Sequence, residues 1–254
     1  MLMNKNKKIY FASDQHFGAP TRAESLVREK KFILWLDQVK ADAEVIFLLG
    51  DLFDFWFEYK TVVPKGFIRV LGKLAEIRDS GIPVYFFIGN HDLWMRDYFE
   101  TELNIPIYDQ PKEFIFNDKS FLIGHGDGLG PGDKGYKRMK KVFTNPFAKW
   151  LYKWLHPDIG MRLAQYLSTK NKLISGEEDV KFLGEDKEWL VQYAKRKLET
   201  KHYNFFVFGH RHYPMEIQVG KNSTYINTGD WVNHFTYAVF DGEKMRLKKF
   251  EDKA

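Results

Sequence analysis

At 254 residues, with 44% apolar and 29% charged residues, the chain is long enough to bury a substantial core, and its composition excludes a disordered or fibrous class. Without cysteine it has neither a disulfide framework nor a thiolate metal site, so any metal would be held by His, Asp, Glu, Asn or water. A net charge of +5 suits an anionic partner, whether nucleic acid, nucleotide or membrane face, and suits a solvated Lys-rich surface equally well.

The opening residues, MLMNKNKKIYFASDQH, are basic but hold only a five-residue apolar-leaning run before Ser13, too short for a signal-peptide core or a membrane span; a cytoplasmic location is expected. Strands are expected at KIYFA (8–12), VIFLL (45–49) and PVYFFI (83–88), with amphipathic helices from Arg22 to Lys40 and from Lys65 to Ser80. This βαβαβ alternation predicts a layered sheet with flanking helices. EFIFND and KSFLIG, meeting at an Asn-Asp turn, predict a hairpin. Residues 133–200 read as wholly helical, broken at Asn145-Pro146, at His156-Pro157-Asp158 and around Ser175-Gly176, and form an insertion or lid within a single domain spanning 1–254. Strands return at NFFVFG (204–209), STYINT (223–228), FTYAVF (235–240) and MRLKKF (245–250), expected as a closing meander.

Chemistry concentrates where these strands end. Five segments each follow an apolar strand directly: Ser13-Asp14-Gln15-His16, Gly50-Asp51-Leu52-Phe53-Asp54, Gly89-Asn90-His91-Asp92, Gly124-His125-Gly126-Asp127 and Gly209-His210-Arg211-His212. In open α/β sheets ligands bind beyond the carboxyl ends of the strands, so these loops are expected to converge on one crevice. Taken singly, each has an ordinary reading: Asp-x-His as a turn with a surface imidazole, Asn90 as a turn residue. Together they hold five of the eight histidines.

Two divalent ions roughly 4 Å apart can clamp an in-line phosphoryl displacement, and they need a bridging carboxylate with imidazole and carboxylate around it. Asp14, His16 and His212 are assigned to one ion, Asn90, His125 and His210 to the other, and Asp51 to the bridge. Mixed nitrogen and oxygen donors suit manganese, iron or zinc.

The five segments resemble the signature of the calcineurin-like metallophosphoesterases, D-x-H, G-D, G-N-H-D, G-H and G-H-x-H, in the family order from residue 13 to 212. The resemblance implies an α/β/β/α sandwich and a dinuclear centre. It also implies that His91 is the general acid or transition-state stabiliser, with Asp92 orienting its ring; an imidazolium held by a carboxylate can donate to a phosphoryl oxygen as charge develops.

Within that superfamily the chain is similar to the UDP-2,3-diacylglucosamine diphosphatases of lipid A biosynthesis. The similarity lies in Gly50-Asp51-Leu52-Phe53-Asp54-Phe55-Trp56, in Gly124-His125-Gly126-Asp127 followed by Asp133 and Gly135-Tyr136, and in Asn145-Pro146 opening the helical stretch. It continues into Ser168-Thr169-Lys170-Asn171-Lys172. The implied activity is manganese-dependent hydrolysis of a nucleotide-lipid to UMP and a lipid monophosphate, with Asn90, His91, Asp133, Tyr136, Ser168, Asn171, Lys172 and His210 touching substrate. One departure is His91, where the best-known branch carries Arg.

The residues make separate sense of a lipid. Phe143, Phe147, Trp150, Leu151, Trp154 and Leu155 recur at three- and four-residue spacings among Lys137, Arg138, Lys140, Lys141, Lys149 and Lys153. Such a stripe suits a helix resting on an anionic bilayer at the cytoplasmic face of the inner membrane, or enclosing acyl chains; it also suits an ordinary core-facing helix. A monomer is expected, and nucleic acid is not, because the Trp and Phe lie in a helical pattern and not on a stacking platform. The competing readings are a phosphoesterase of another substrate class and a non-catalytic scaffold.

Overall fold

The structure, a computed structural model, describes residues 2–131, 134–164, 166 and 181–251. Eleven strands make two sheets. The first, in order β11-β10-β1-β2-β3-β4, contains β1 (Lys8–Ala12), β2 (Ala43–Leu48), β3 (Val84–Phe87), β4 (Ile107–Tyr108), β10 (Thr236–Phe240) and β11 (Met245–Lys249). The second, β5-β6-β7-β9-β8, contains β5 (Lys112–Phe116), β6 (Lys119–Ile123), β7 (Phe205–Phe208), β8 (Met215–Gly220) and β9 (Ser223–Asn227).

The alternation within each strand builds the layers. In β1, Ile9 and Phe11 point to one face, and Tyr10 and Ala12 to the other; in β2, Val45 and Phe47 oppose Ile46 and Leu48. Ile9, Phe11, Val45, Phe47 and Phe87 meet Phe116, Phe121, Ile123, Val207 and Ile226 of the second sheet, forming the core between the sheets. The other face of the first sheet packs on α1 (Arg22–Lys40) and α2 (Ile68–Asp79) through Phe32, Trp35, Leu36, Leu74 and Ile77. The outer face of the second carries α7 (Trp189–Leu198), whose Leu190, Val191 and Ala194 cover Phe206, Phe208 and Tyr225. The result is the expected α/β/β/α sandwich. Both faces of β1 and β2 are buried, one against the helices and one against the second sheet.

The two long helices begin and end close to the expected bounds. Thr21 caps α1, its hydroxyl accepting from Glu24 N at 3.3 Å. The short α3 (Tyr98–Leu103), β4 and β8 were absent from the sequence reading. The expected C-terminal meander is corrected: β7 lies parallel between β6 and β9, whereas β10 and β11 return to the first sheet, with β10 antiparallel to β1. The physical reason is burial, since β10 is apolar on both faces and must be covered on both.

Between β6 and β7 the described residues are helical or irregular. They include α4 (Lys134–Thr144), α5 (Pro146–Lys153), a helical stretch at 157–164 (α6) and then α7. Asn145 caps α5, its side chain accepting from Phe147 N at 2.8 Å, and Pro146 occupies the first turn, where its missing N–H costs nothing.

Candidate dinuclear metal centre

The five strand-end loops meet at one end of the sandwich, three from the first sheet and two from the second. Main-chain bonds continue the β1–β2 pairing into the loops: Asp14 N donates to Gly50 O (3.0 Å), His16 N to Asp51 O (2.9 Å) and Phe17 N to Leu52 O (2.9 Å). Asp14 Oδ2 accepts from His210 N at 3.0 Å, which ties the two sheets together at this point. Asp14, His16, Asp51 and His210 all have left-handed backbones (φ 57°, 47°, 54° and 68°). Each such residue costs about 1–3 kcal/mol, and four of them among seven candidate ligands mark a site that the rest of the fold holds in place.

The side chains form the two expected halves. His16 Nε2 and His212 Nε2 lie 3.2 Å apart, and Asp14 Oδ1 is 3.9 Å from the first and 3.6 Å from the second. Asn90 Oδ1 lies 3.1 Å from His125 Nε2 and 2.8 Å from His210 Nδ1. Asp51 Oδ2 stands between the halves, 3.8 Å from His16 Nε2 and 3.5 Å from His125 Nε2. The site therefore brings together all seven residues named from the sequence.

The donor set fits divalent ions. Asp14 Oδ1 is buried and accepts no hydrogen bond from the described residues, an expensive state for a carboxylate oxygen unless a cation faces it. The outer nitrogens of three imidazoles face acceptors: His125 Nδ1 lies 2.6 Å from Leu49 O, within hydrogen-bond reach, whereas His16 Nδ1 and His212 Nδ1 face Asp54 Oδ1 and Asp230 Oδ2 at the longer distance of 3.5 Å. Each arrangement turns the remaining nitrogen toward the cluster, as metal-ligating histidines require. Gly89 has no Cβ because there is no room for one: it would lie 2.2 Å from Asp51 Oδ1.

The charges are strongly coupled. Burial raises the Asp51 carboxyl, but the imidazoles of His125, His91 and His16 outweigh it and hold it well below the usual carboxylate range. Burial raises Asp14 to about 6 despite His125 and His212. For His125, burial acts downward and the carboxylates of Asp51 and Asp14 carry the ring up to about 10.

His91 lies beside this cluster with its ring edge-on to His16, centroids 4.6 Å apart, and His91 N donates to Asp51 Oδ1 at 2.8 Å. Asp92 does not orient its ring, contrary to the expectation above. Its carboxylate accepts from Gly89 N (2.5 Å) and Leu52 N (3.1 Å) and so fastens two ligand loops, while His91 Nδ1 lies 2.8 Å from Asp54 O. Burial pushes the Asp92 carboxyl up to about 8, with Asp51 adding to it.

Of the expected substrate contacts, Tyr136 lies near His210, ring centroids 6.3 Å apart, and donates through its hydroxyl to Asp127 Oδ2. Asp133, Ser168, Asn171 and Lys172 lie outside the described residues. The aromatic stripe divides. Phe143 packs on Trp94, whose indole N–H donates to Phe143 O at 2.6 Å, and Tyr152 packs on Phe57 and Trp94. Phe147, Trp150, Leu151 and Trp154 face outward, with Trp154 at 74% exposure.

Sequence reasoning missed two supports. Arg28 of α1 is buried, and its guanidinium donates to the carbonyls of Gln15 (2.7 Å), His16 (2.6 Å) and Ala19 (2.5 Å), clamping the loop that carries Asp14 and His16. Nothing in a helical pattern singles out one Arg for this. Asp230 had a readable signal: Gly229-Asp230 follows the apolar β9 as Gly50-Asp51 follows β2.

The family model described as calcineurin-like phosphoesterase matches residues 7–214. A UDP-2,3-diacylglucosamine hydrolase of Porphyromonas gingivalis is 36% identical over 96% of this chain and 98% of its own. One from Shewanella baltica is 26% identical over 95% and 96%. Among solved structures, a phosphoesterase from E. coli aligns over 97% of this chain and 95% of its own with a TM-score of 0.48 and 16% identity. With the match spanning all five ligand loops, the chain belongs to the calcineurin-like phosphoesterase family.

Proposed function

We propose that the protein is a dinuclear-metal pyrophosphohydrolase that cleaves UDP-2,3-diacylglucosamine to UMP and 2,3-diacylglucosamine 1-phosphate. The observation that carries the reading is the complete ligand set, with Asp51 between its halves, in a chain similar over nearly its full length to a relative bearing that substrate's name. Asp14, His16 and His212 would hold one ion, Asn90, His125 and His210 the other, and Asp51 both; the oxygen and imidazole donors suit Mn²⁺. When bound, the ions supply Lewis acidity to a diphosphate whose charge grows as a P–O bond breaks.

The chain's own residues do the rest. His91, with Nδ1 against Asp54 O, lies beside the cluster, where its ring can donate to a phosphoryl or leaving oxygen. Asp92 keeps the loops of Asp51 and Asn90 in register. Tyr136, anchored on Asp127, borders the second half of the cluster, where a nucleotide-sugar phosphate would lie. Water enters and a proton leaves to solvent as the diphosphate divides.

The outward face of α5 supports a peripheral position on an anionic membrane. No helix of the described chain is long and apolar enough to cross one. Phe147 stacks on Trp150 (5.8 Å), and Trp150 meets Trp154 (5.9 Å), beside the exposed Lys141 and Lys153.

The test is direct. Purified protein with Mn²⁺ is expected to release UMP from UDP-2,3-diacylglucosamine in detergent micelles, and to lose that activity on chelation. Hydrolysis of bis-nitrophenyl phosphate without release of UMP would overturn the substrate and leave a phosphoesterase of another class. Label from ¹⁸O-water, found in UMP or in the lipid phosphate, identifies the phosphorus attacked.

A further inference from the structure

The loop after β9 carries a carboxylate as deeply buried as any metal-site candidate. Asp230 is inaccessible to solvent, and both its oxygens are engaged. Oδ1 accepts from Asn233 N (3.0 Å) and His234 N (2.8 Å) and lies 3.1 Å from His234 Nδ1. Oδ2 accepts from Asn233 Nδ2 (3.2 Å) and faces His212 Nδ1 at 3.5 Å. Three hydrogen-bond donors and two imidazole nitrogens around one carboxylate fix its plane. Nothing assigned to the reaction so far explains why an acid should be enclosed there.

The geometry around it is directional. Trp231 N donates to Asp14 O at 3.1 Å, so the backbone next to Asp230 is joined to the loop bearing Asp14 and His16. Thr228 Oγ1 lies 2.6 Å from Ser13 Oγ, and Ser13 Oγ donates to Asp14 Oδ2. The β9–β10 connection is thus bound to the ligand loop at several points. His212 has one nitrogen toward Asp230 and the other among Asp14 and His16. A neutral imidazole carries its proton on one nitrogen only, and a carboxylate beside Nδ1 holds it there.

We propose that Asp230 is a positioning residue for the metal centre: it fixes His212 as the Nδ1–H tautomer, so that Nε2 offers its lone pair to the ion shared with Asp14 and His16. The main-chain N–H groups of Asn233 and His234 lock the carboxylate in the rotamer that does this. The inference rests on reading the cluster as a metal site, and its test separates the two.

Titration of ion-free protein with Mn²⁺, followed by calorimetry, is expected to show two equivalents in the wild type. In Asp230→Asn one equivalent weakens about 10–100-fold while the other changes by less than about threefold. His234→Ala, which leaves Oδ2 and its His212 contact in place, is expected to change neither by more than about threefold. An Asp230→Asn protein that binds both equivalents like the wild type overturns the proposal. So does a loss in His234→Ala equal to that in Asp230→Asn, because the turn and not the carboxylate would then carry the effect.

Long-range ¹⁵N–¹H spectra of the Zn²⁺-loaded wild type need no variant to fold. They are expected to show His212 protonated at Nδ1 and metal-shifted at Nε2; the reverse pattern overturns the proposal. Absence of any metal uptake by the wild type would instead defeat the metal reading itself.

Discussion

At the scale of single residues, the site depends on one shared carboxylate and one unshared imidazole. Asp51 Oδ2 stands between the two halves, so Asp51→Ala is expected to remove more than about 100-fold of turnover and to reduce bound metal in parallel, measured by metal analysis of the dialysed protein. His91 should behave differently. It lies beside the cluster and is held by a backbone carbonyl, so His91→Ala is expected to lower kcat about 10²–10⁴-fold with metal content unchanged. Loss of metal in that variant would make His91 a ligand, not a proton donor.

His125 supplies the pH prediction. In the ion-free protein, burial acts downward on its pKa but Asp51 and Asp14 carry it to about 10, so the ring is protonated at pH 7. Ligation requires the neutral ring, so loading releases a proton and affinity strengthens as the pH rises toward 10. Calorimetry in buffers of different ionisation enthalpy counts that proton. These residues were legible in the sequence because each ligand loop pairs a β-type run with a short polar text. Their anchors were not: Arg28 is one charged position on a helix, and only packing turns its guanidinium onto the carbonyls at 15, 16 and 19.

At the scale of elements, α1 and α5 do opposite things with charged and aromatic residues. Arg28 sends a buried guanidinium from α1 into the ligand loop, and Arg28→Met would leave three carbonyls without that donor. That substitution is expected to destabilise the protein by on the order of 3 kcal/mol, read from the urea midpoint, and to weaken metal binding as the Asp14 loop loosens. On α5, Phe147, Trp150 and Trp154 touch mainly one another and solvent. Replacing Trp150 and Trp154 with Ser should lower stability by on the order of 2–4 kcal/mol, because about half of Trp150 and a quarter of Trp154 are covered. The same change should reduce sedimentation with anionic lipid vesicles several-fold; unchanged vesicle binding would remove α5 from the membrane reading.

The sequence pattern showed that this stripe exists but not which half of it docks. Three- and four-residue spacing marks a face without naming its partner, and Trp94 and Phe57, which take Phe143 and Tyr152, come from loops far away in the chain.

At the scale of the whole molecule, the candidate ligands come from both sheets, with Asp14, His16, Asp51 and Asn90 following strands of the first and His125, His210 and His212 following strands of the second. Bound ions would therefore cross-link the two sheets at one end. At an ion concentration about 1,000-fold above Kd the folded state gains about 4 kcal/mol, which in a chain of this size raises Tm by about 10 °C. Scanning calorimetry with and without chelator measures it, and equal Tm values would argue against a site spanning the sandwich. The inter-sheet core, built on Phe11, Phe47 and Phe121, holds the same two sheets together without metal, so the ion-free protein is expected to stay folded.

The sequence by itself determined the longer strands apart from β8, the two long helices and the seven candidate ligands, because periodicity and strand-end dipeptides are local and each is written in consecutive residues. It could not determine that β10 and β11 leave the second sheet for the first, since strand pairing depends on which apolar face remains uncovered after the other strands have packed. Nor could it distinguish Asp92, which fastens backbone, from Asp54 and Asp230, which face the outer nitrogens of His16 and His212. A carboxylate's role is set by what lies within about 3.5 Å of it, and those neighbours are brought there only by the tertiary fold.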